Sequence, residues 1–162
     1  MTREKIISEI KEKLGGKIKK FRDKSAGRVY IDIERKDLAA SARFVFKDLG
    51  ARFNTATAAD HPDSIEIMYH FNFDRQALIV TLTVYAPKGD CAVDSLLPMM
   101  RGAEWIEREI HELFGVDFTG HPDIRPLLLP DDWPKDKHPL RKSCVLTDYN
   151  NEKAKRKKEG QI

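Results

Sequence analysis

Cysteine is almost missing from this chain. Cys91 and Cys144 stand far apart, with no CxxC or other ligand spacing around either, which argues against a disulfide scaffold and against a zinc or iron–sulfur site. Long apolar runs are missing too. The longest, ALIV and LLL, are far too short to span a bilayer. The opening stretch MTREKIISEIKEKL alternates charges with aliphatics and lacks the unbroken apolar core and cleavage site of a signal peptide. A reducing cytoplasmic setting is therefore expected. No glycine-rich phosphate loop occurs, since KLGGKIK has neither the GxGxxG pattern nor a Walker ending. HELFG opens like a zinc-protease helix, but Gly115 stands where the second histidine belongs. His111, His121 and His138 are better read as capping or interface hydrogen-bonding groups than as metal ligands. Asp94, Ser95 and His111 suggest a triad, yet no G-x-S-x-G elbow surrounds the serine. A large excess of one charge is also lacking. The net +3 is too mild to imply nucleic acid, although Lys153, Lys155, Arg156, Lys157 and Lys158 crowd one segment. That segment reads as a solvated tail, or as a contact for anionic lipid or an acidic partner.

What is present is one domain's worth of chain, 162 residues with 41% hydrophobic and 34% charged side chains. Ile6, Ile7, Ile10 and Leu14 share one face of an opening helix, with Thr2 as N-cap and Gly15-Gly16 as stop. After a basic linker, RVYIDI reads as a strand. Leu38, Ala42, Val45, Phe46 and Leu49 then predict a helix closed by Gly50. From Ala51 the period becomes two: ARFNTAT, SIEIMYHFNF and ALIVTLTVY read as strands, the last pair a hairpin through DRQ. A further helix is expected over 103–114. The order predicts an α+β protein, a mostly antiparallel sheet covered by helices with a long extended C-terminal arm. The expected organisation is a globular domain over 1–115, an arm over 116–146, and a basic, disordered tail over 147–162.

Two segments carry functional information. Tyr69, Phe71 and Phe73 suggest the base-stacking strand of an RNA-binding sheet, but they share parity with Ile65 and Ile67 and so belong on the core face. In the helix, Ile106, Ile110, Leu113 and Phe114 form an apolar face. Glu104 with Arg108 and Arg108 with Glu112, each four apart, predict surface pairing along the helix; the alternative makes Glu107, Arg108 and Glu109 ion-pair partners of another chain. Beyond Gly115, prolines recur at 122, 126, 130 and 134, followed by Pro139, so neither helix nor central strand can form. This arm nonetheless carries Val116, Phe118, Ile124, Leu127, Leu128, Leu129, Trp133, Leu140, Val145 and Leu146. Burying those side chains returns less than fixing the backbone costs, so order needs directional contacts and a larger surface than a small body offers. A partner chain is the expected answer. The simpler alternative is a long loop folded back on its own domain.

EREIHELFGVDFTGHPDIRPLLLPDDW, from Glu107 to Trp133, and HPLRK, from His138 to Lys142, resemble the signature of the C-subunit family of proton-pumping NADH:quinone oxidoreductase (complex I). They are similar as well to its relatives in membrane-bound hydrogenases and F420H2-oxidising complexes. PKDK after Trp133 and SCV after HPLRK depart from the complex I pattern and leave the hydrogenase and F420H2 branches open. The resemblance implies a cofactor-free, non-catalytic member of the hydrophilic arm, peripheral on the cytoplasmic face of the membrane. Iron–sulfur clusters, flavin, quinone or nickel–iron would belong to its partners, a hydrogenase-like large subunit and an iron–sulfur small subunit. It implies interface roles for Glu107, Arg108, Glu109, Glu112, Phe114, His121, Asp123, Arg125, Leu127, Leu128, Asp132, Trp133, His138, Leu140, Arg141 and Lys142. The competing reading is a small nucleic-acid-binding module that uses the aromatic strand and the basic tail.

Overall fold

A computed structural model describes residues 1–145 together with Thr147, Tyr149, Asn151 and Lys155. Leu146 and most of the expected basic tail lie outside the described residues. Helix α1 runs Arg3–Leu14, and Thr2 caps it by accepting a hydrogen bond from the Lys5 amide. Strands β1 (Ile18–Ser25) and β2 (Arg28–Ile33) follow, then α2 (Leu38–Arg43), which continues into a wide turn over Phe44–Asp48. Strands β3 (Arg52–Asp60), β4 (Ser64–Phe73) and β5 (Leu78–Pro87) complete a five-stranded sheet of order β1-β2-β5-β4-β3. All its pairings are antiparallel except β2 with β5. The protein is thus α+β with a mostly antiparallel sheet, as its pattern of periods predicts.

The basic linker proves to be a strand. β1 sits at the sheet edge and carries only Ile18 and Phe21 as large apolar residues, so its sequence shows no alternation. Its lysines suit an edge, where charge discourages further pairing. The aromatic strand behaves as its parity requires: Ile65, Ile67, Tyr69 and Phe71 are fully buried, and Phe73 nearly so. They join Val29, Ile31, Val80, Leu82 and Val84 of the sheet and the inward residues of all three helices in one core. Tyr69 and Phe71 are therefore not available as a stacking platform for bases, and the nucleic-acid reading loses its aromatic surface.

A second, two-stranded sheet sets up the rest of the molecule. Strand β6 (Ala92–Asp94) leads through a short turn into helix α3 (Ala103–Phe114), and the chain returns in β7 (Asp117–Thr119), parallel to β6. The Asp117 amide donates to Cys91 O at 2.7 Å and the Ser95 amide to Thr119 O at 2.9 Å. These bonds tie the entrance and the exit of α3 to each other, fixing its position over the β3 side of the sheet. Neither three-residue strand is expected from the sequence, because such segments are too short to show a period. Among the described residues no helix is long and apolar enough to cross a membrane.

Candidate functional site

Helix α3 does not bury the stripe its aliphatic residues suggest. Its inward line is Ala103, Glu107, Ile110 and Phe114, at helical spacing, while Ile106 and Leu113 are only partly buried. Glu107, expected at an interface, has no exposed surface, and Phe114, expected there too, packs into the core. The Glu107 carboxylate accepts from Ser95 Oγ at 2.5 Å, from the Leu96 amide at 2.8 Å and, more weakly, from Tyr69 Oη at 3.4 Å. A buried carboxylate is tolerated only with such partners. Burial pushes its pKa up, against the lowering effect of the Ser95 and Leu96 bonds. The same desolvation, with Glu107 beside it, drives the Tyr69 phenol well above its ordinary value. Glu107 therefore pins α3 to the turn before it.

The opposite flank of α3 holds the proline-rich arm, and it does so through backbone atoms. Arg108 donates to the carbonyls of Arg125 at 3.0 Å and Pro126 at 2.8 Å. Glu112, almost fully buried, accepts from three consecutive amides, Leu127 at 3.2 Å, Leu128 at 2.8 Å and Leu129 at 3.0 Å. His121 Nδ1 accepts from the Asp123 amide, so Nε2 carries the proton and donates to Glu104 O at 3.1 Å. Asp123 and Arg125 brace this bend with an ion pair of 2.7 Å, and the guanidinium holds the Asp123 carboxyl far below its usual range. The intrahelical pairs of Arg108 with Glu104 and Glu112 are thus not what these residues make. Arg108 and Glu112 are spent on the arm.

The arm then returns to finish the helix. The last turn of an α-helix leaves carbonyls without intrahelical donors. Here His138 Nδ1 donates to Glu112 O at 3.0 Å, the Leu140 amide to Leu113 O at 3.0 Å, and Arg141 Nε to Phe114 O at 2.5 Å. Arg141 Nη2 adds Gly115 O at 3.2 Å. A cation at a helix C-terminus is also favoured by the dipole. Burial lowers the His138 pKa, which keeps the imidazole neutral in this cap. Gly115 is required twice. Its φ of 69° is left-handed, and a Cβ there would lie 2.4 Å from His138 Nε2. Finally the Lys142 amide donates to Asp60 Oδ2 at 2.8 Å, and Lys88 Nζ pairs with Asp60 Oδ1 at 2.7 Å, fastening the arm to the sheet.

The arm is therefore not a free extension. It doubles back along α3, as the folded-back alternative supposes; Val116 and Phe118 at its start enter the core and Ile124 packs against it, but the apolar side chains further along do not. Leu128 is 59% exposed, Leu140 52%, Val145 55%, and Trp105 on α3 itself 66%. Leu127 and Trp133 are half-buried; Trp133 Nε1 donates to Lys137 O at 2.6 Å, and its ring lies 4.3 Å from that of Tyr149. Asp132 is exposed and approached by Tyr149 Oη at 3.5 Å. Glu109 lies on the other flank, beside Ile106 and Leu113. A cavity of about 300 Å³ separates arm from helix, lined among others by His111, Ile124, Pro126, Trp133 and His138. The roles of Ser95, Tyr69 and Asp60 go beyond what the sequence suggests, as does the room Gly115 leaves for His138, whereas its left-handed place at the helix end is the one its sequence position predicts. Glu107 is legible in principle, since it completes the 103, 107, 110, 114 line, whereas no local pattern marks Asp60.

The relatives of this small α+β body, with its long, polar-anchored arm strapped across the last helix, identify its family. The match to the family described as respiratory-chain NADH dehydrogenase, 30 Kd subunit, spans residues 31–150, and the chain belongs to that family. Within it, the chain is 31% identical over 157 residues to the NADH-quinone oxidoreductase C subunit of Geobacter sulfurreducens, covering 91% of this chain and 93% of that protein. The NAD(P)H-quinone oxidoreductase J subunit of a Synechococcus species is 48% identical over 64 residues, 40% of this chain and 35% of that protein. Among solved structures, a chain of the membrane-bound sulfane sulfur reductase, an archaeal respiratory membrane complex, superposes with a TM-score of 0.82 at 22% identity. The match covers 94% of this chain and 91% of that one. The fold is shared with that chain.

Proposed function

We propose that this chain is a structural subunit of the hydrophilic arm of a membrane-associated NADH:quinone oxidoreductase-like complex, and that it docks onto the hydrogenase-like large subunit. The observation that carries this reading is the division of labour in the arm. Arg108 and Glu112 of α3 are used to hold arm backbone, and the aliphatic side chains Leu128, Leu140 and Val145 are left exposed, as is Trp105 of α3. Large exposed apolar side chains gathered on one ordered segment mark a protein-binding surface. On this reading the redox groups, whether iron–sulfur clusters, flavin, quinone or nickel–iron, reside in the large subunit, the iron–sulfur small subunit and their neighbours. This chain attaches peripherally at the cytoplasmic face through those subunits and performs no redox step. Its contribution is to present exposed apolar side chains on an arm anchored through its backbone.

The test is affinity purification of a tagged full chain from cells that make the complex. With Leu128→Asp and Val145→Asp combined, the large subunit is expected to vanish from the eluate while the thermal melt of the purified variant stays unchanged. Undiminished recovery of the large subunit would overturn the docking reading.

A further inference from the structure

The two edges of the five-stranded sheet are built differently. β1 closes one edge with Lys19, Lys20, Arg22, Asp23 and Lys24, and its pairing with β2 is interrupted by two register shifts. Charges and irregularities of this kind keep an edge from recruiting another strand. β3 closes the other edge with charge only at its two ends, Arg52 and Asp60, and with a single register shift, between Phe53 and Thr55. Between Arg52 and Asp60 it carries no charge, only Phe, Asn, Thr and Ala, and from Thr55 to Asp60 it pairs with β4 in unbroken register.

The direction of its free hydrogen-bonding groups follows from the hairpin. The His61 amide donates to Ser64 O at 2.9 Å, so that pair bonds inward across the hairpin. By antiparallel alternation Thr55, Thr57 and Ala59 bond to β4, while Ala56 and Ala58 turn both N–H and C=O outward. Consistent with this, Ala56 O is approached by the neighbouring Thr55 hydroxyl, at 3.3 Å. No backbone hydrogen bond among the described residues reaches that outer edge.

Helix α3 overhangs the same edge. Ala56, Ala58, Ile106, Glu109, Leu113 and Leu140 line a groove of about 210 Å³ there. Glu109 is half-buried and makes no hydrogen bond or ion pair among the described residues. A half-buried carboxylate without a partner invites a cation. Leu140, carried on a turn closed by the Arg141 amide to His138 O, lines one end of the groove and shows that an aliphatic side chain fits there.

We infer that β3 receives a sixth strand from a partner subunit: an extended segment with aliphatic side chains toward α3 and a lysine or arginine opposite Glu109. Main-chain bonds to Ala56 and Ala58 hold it, and the groove and Glu109 select it. This surface lies on the flank of α3 opposite the 125–129 stretch of the arm, with Leu140 at its end. The inference rests on the chain being a subunit of a larger complex, but not on the arm being its docking surface.

The test combines hydrogen exchange with incorporation. The peptide spanning 52–60 should exchange about tenfold or more slowly in the intact complex than in the isolated full chain, with 18–25 unchanged. Ala58→Pro, which removes an outward N–H and no bond to β4, and Glu109→Lys should each cut recovery of the tagged chain with the complex about fivefold or more. Both variants should keep the native melt. Equal exchange of 52–60 in the two states would overturn the inference, as would full incorporation of both variants. So would an isolated chain that sediments as a dimer dissociated by Ala58→Pro, since the occupant would then be a second copy. If Leu128→Asp with Val145→Asp abolishes assembly while Ala58→Pro and Glu109→Lys do not, the strand inference alone fails. The reverse pattern defeats only the arm docking.

Discussion

The body and the arm are held together by opposite means. In the body, order comes from side chains: β4 and β5 bury Ile65, Ile67, Tyr69, Phe71, Val80, Leu82 and Val84 completely, and the hydrophobic effect suffices to place the backbone. In the arm, order comes from the backbone. Arg108, Glu112, His121, His138 and Arg141 grip or supply main-chain bonds, while Leu128, Leu140 and Val145 stay outside. The lesson is that apolar residues need not order the segment that carries them. On the proposed docking, an arm fixed by its peptide groups would meet its partner with its apolar side chains uncommitted and little ordering cost left on binding.

The contrast can be broken from either side, and the largest effect is expected in the body. Phe71→Ala should cost about 3–5 kcal/mol of global stability and lower the single melt of the whole chain, read by urea titration. Glu112→Ala should act differently. Hydrogen bonds to a charged group contribute about 1.5–3 kcal/mol each, and this carboxylate receives three. Amide exchange at Leu127, Leu128 and Leu129 should rise steeply while β4 and β5 exchange as before; a matching loss of protection in the sheet would show that arm and body are one cooperative unit. Gly115→Ala should be milder, about 1–3 kcal/mol for the left-handed backbone, and should release the His138–Arg141 segment selectively. Exchange across 138–142 is the readout.

The smallest effect is on pH dependence, and the two regions should differ in sign. Burial lowers the His138 pKa below 6.5, so its contribution is complete above 6.5 and is lost as pH falls through the lowered value. Acid should therefore loosen the 138–142 segment once intrinsic exchange rates are allowed for. Burial raises the Glu107 pKa above 4.5, so its contribution is complete below 4.5 and is lost as pH rises through the raised value. Glu107→Gln should remove that second dependence, flattening global stability against pH in urea melts without altering the arm's response to acid.

The same contrast decides how much of the molecule is legible in its sequence. Periodicity reports side chains that face a core, so α1, α3 and the strands β2 to β5 can be read from it, α3 to the residue. The parity of Tyr69 and Phe71 places them inside for the same reason. β1 escapes because an edge strand buries one thin line, Ile18 and Phe21, and β6 and β7 because three residues hold no period. The arm's return to α3 leaves no pattern, since Glu112 recognises amides that every residue except proline possesses. Its prolines correctly forbid helix and central strand, yet turns and side-chain bonds to the backbone satisfy the same restriction while folding the chain back. The charged triplet 107–109 reads as one surface along the sequence, but a helix turns about 100° per residue. Its three members go to three places: Glu107 into the core, Arg108 to the arm and Glu109 to the groove beside β3.

The most direct measurement is carbene footprinting of the full chain, alone and within its complex, read at Trp105, Leu128 and Leu140. The account predicts heavy labelling of all three in the isolated chain, alongside protected amides at Leu127 to Leu129, and a marked fall in labelling once the complex is assembled. Side chains that resist labelling in the isolated chain, or that label equally in both states, would contradict it.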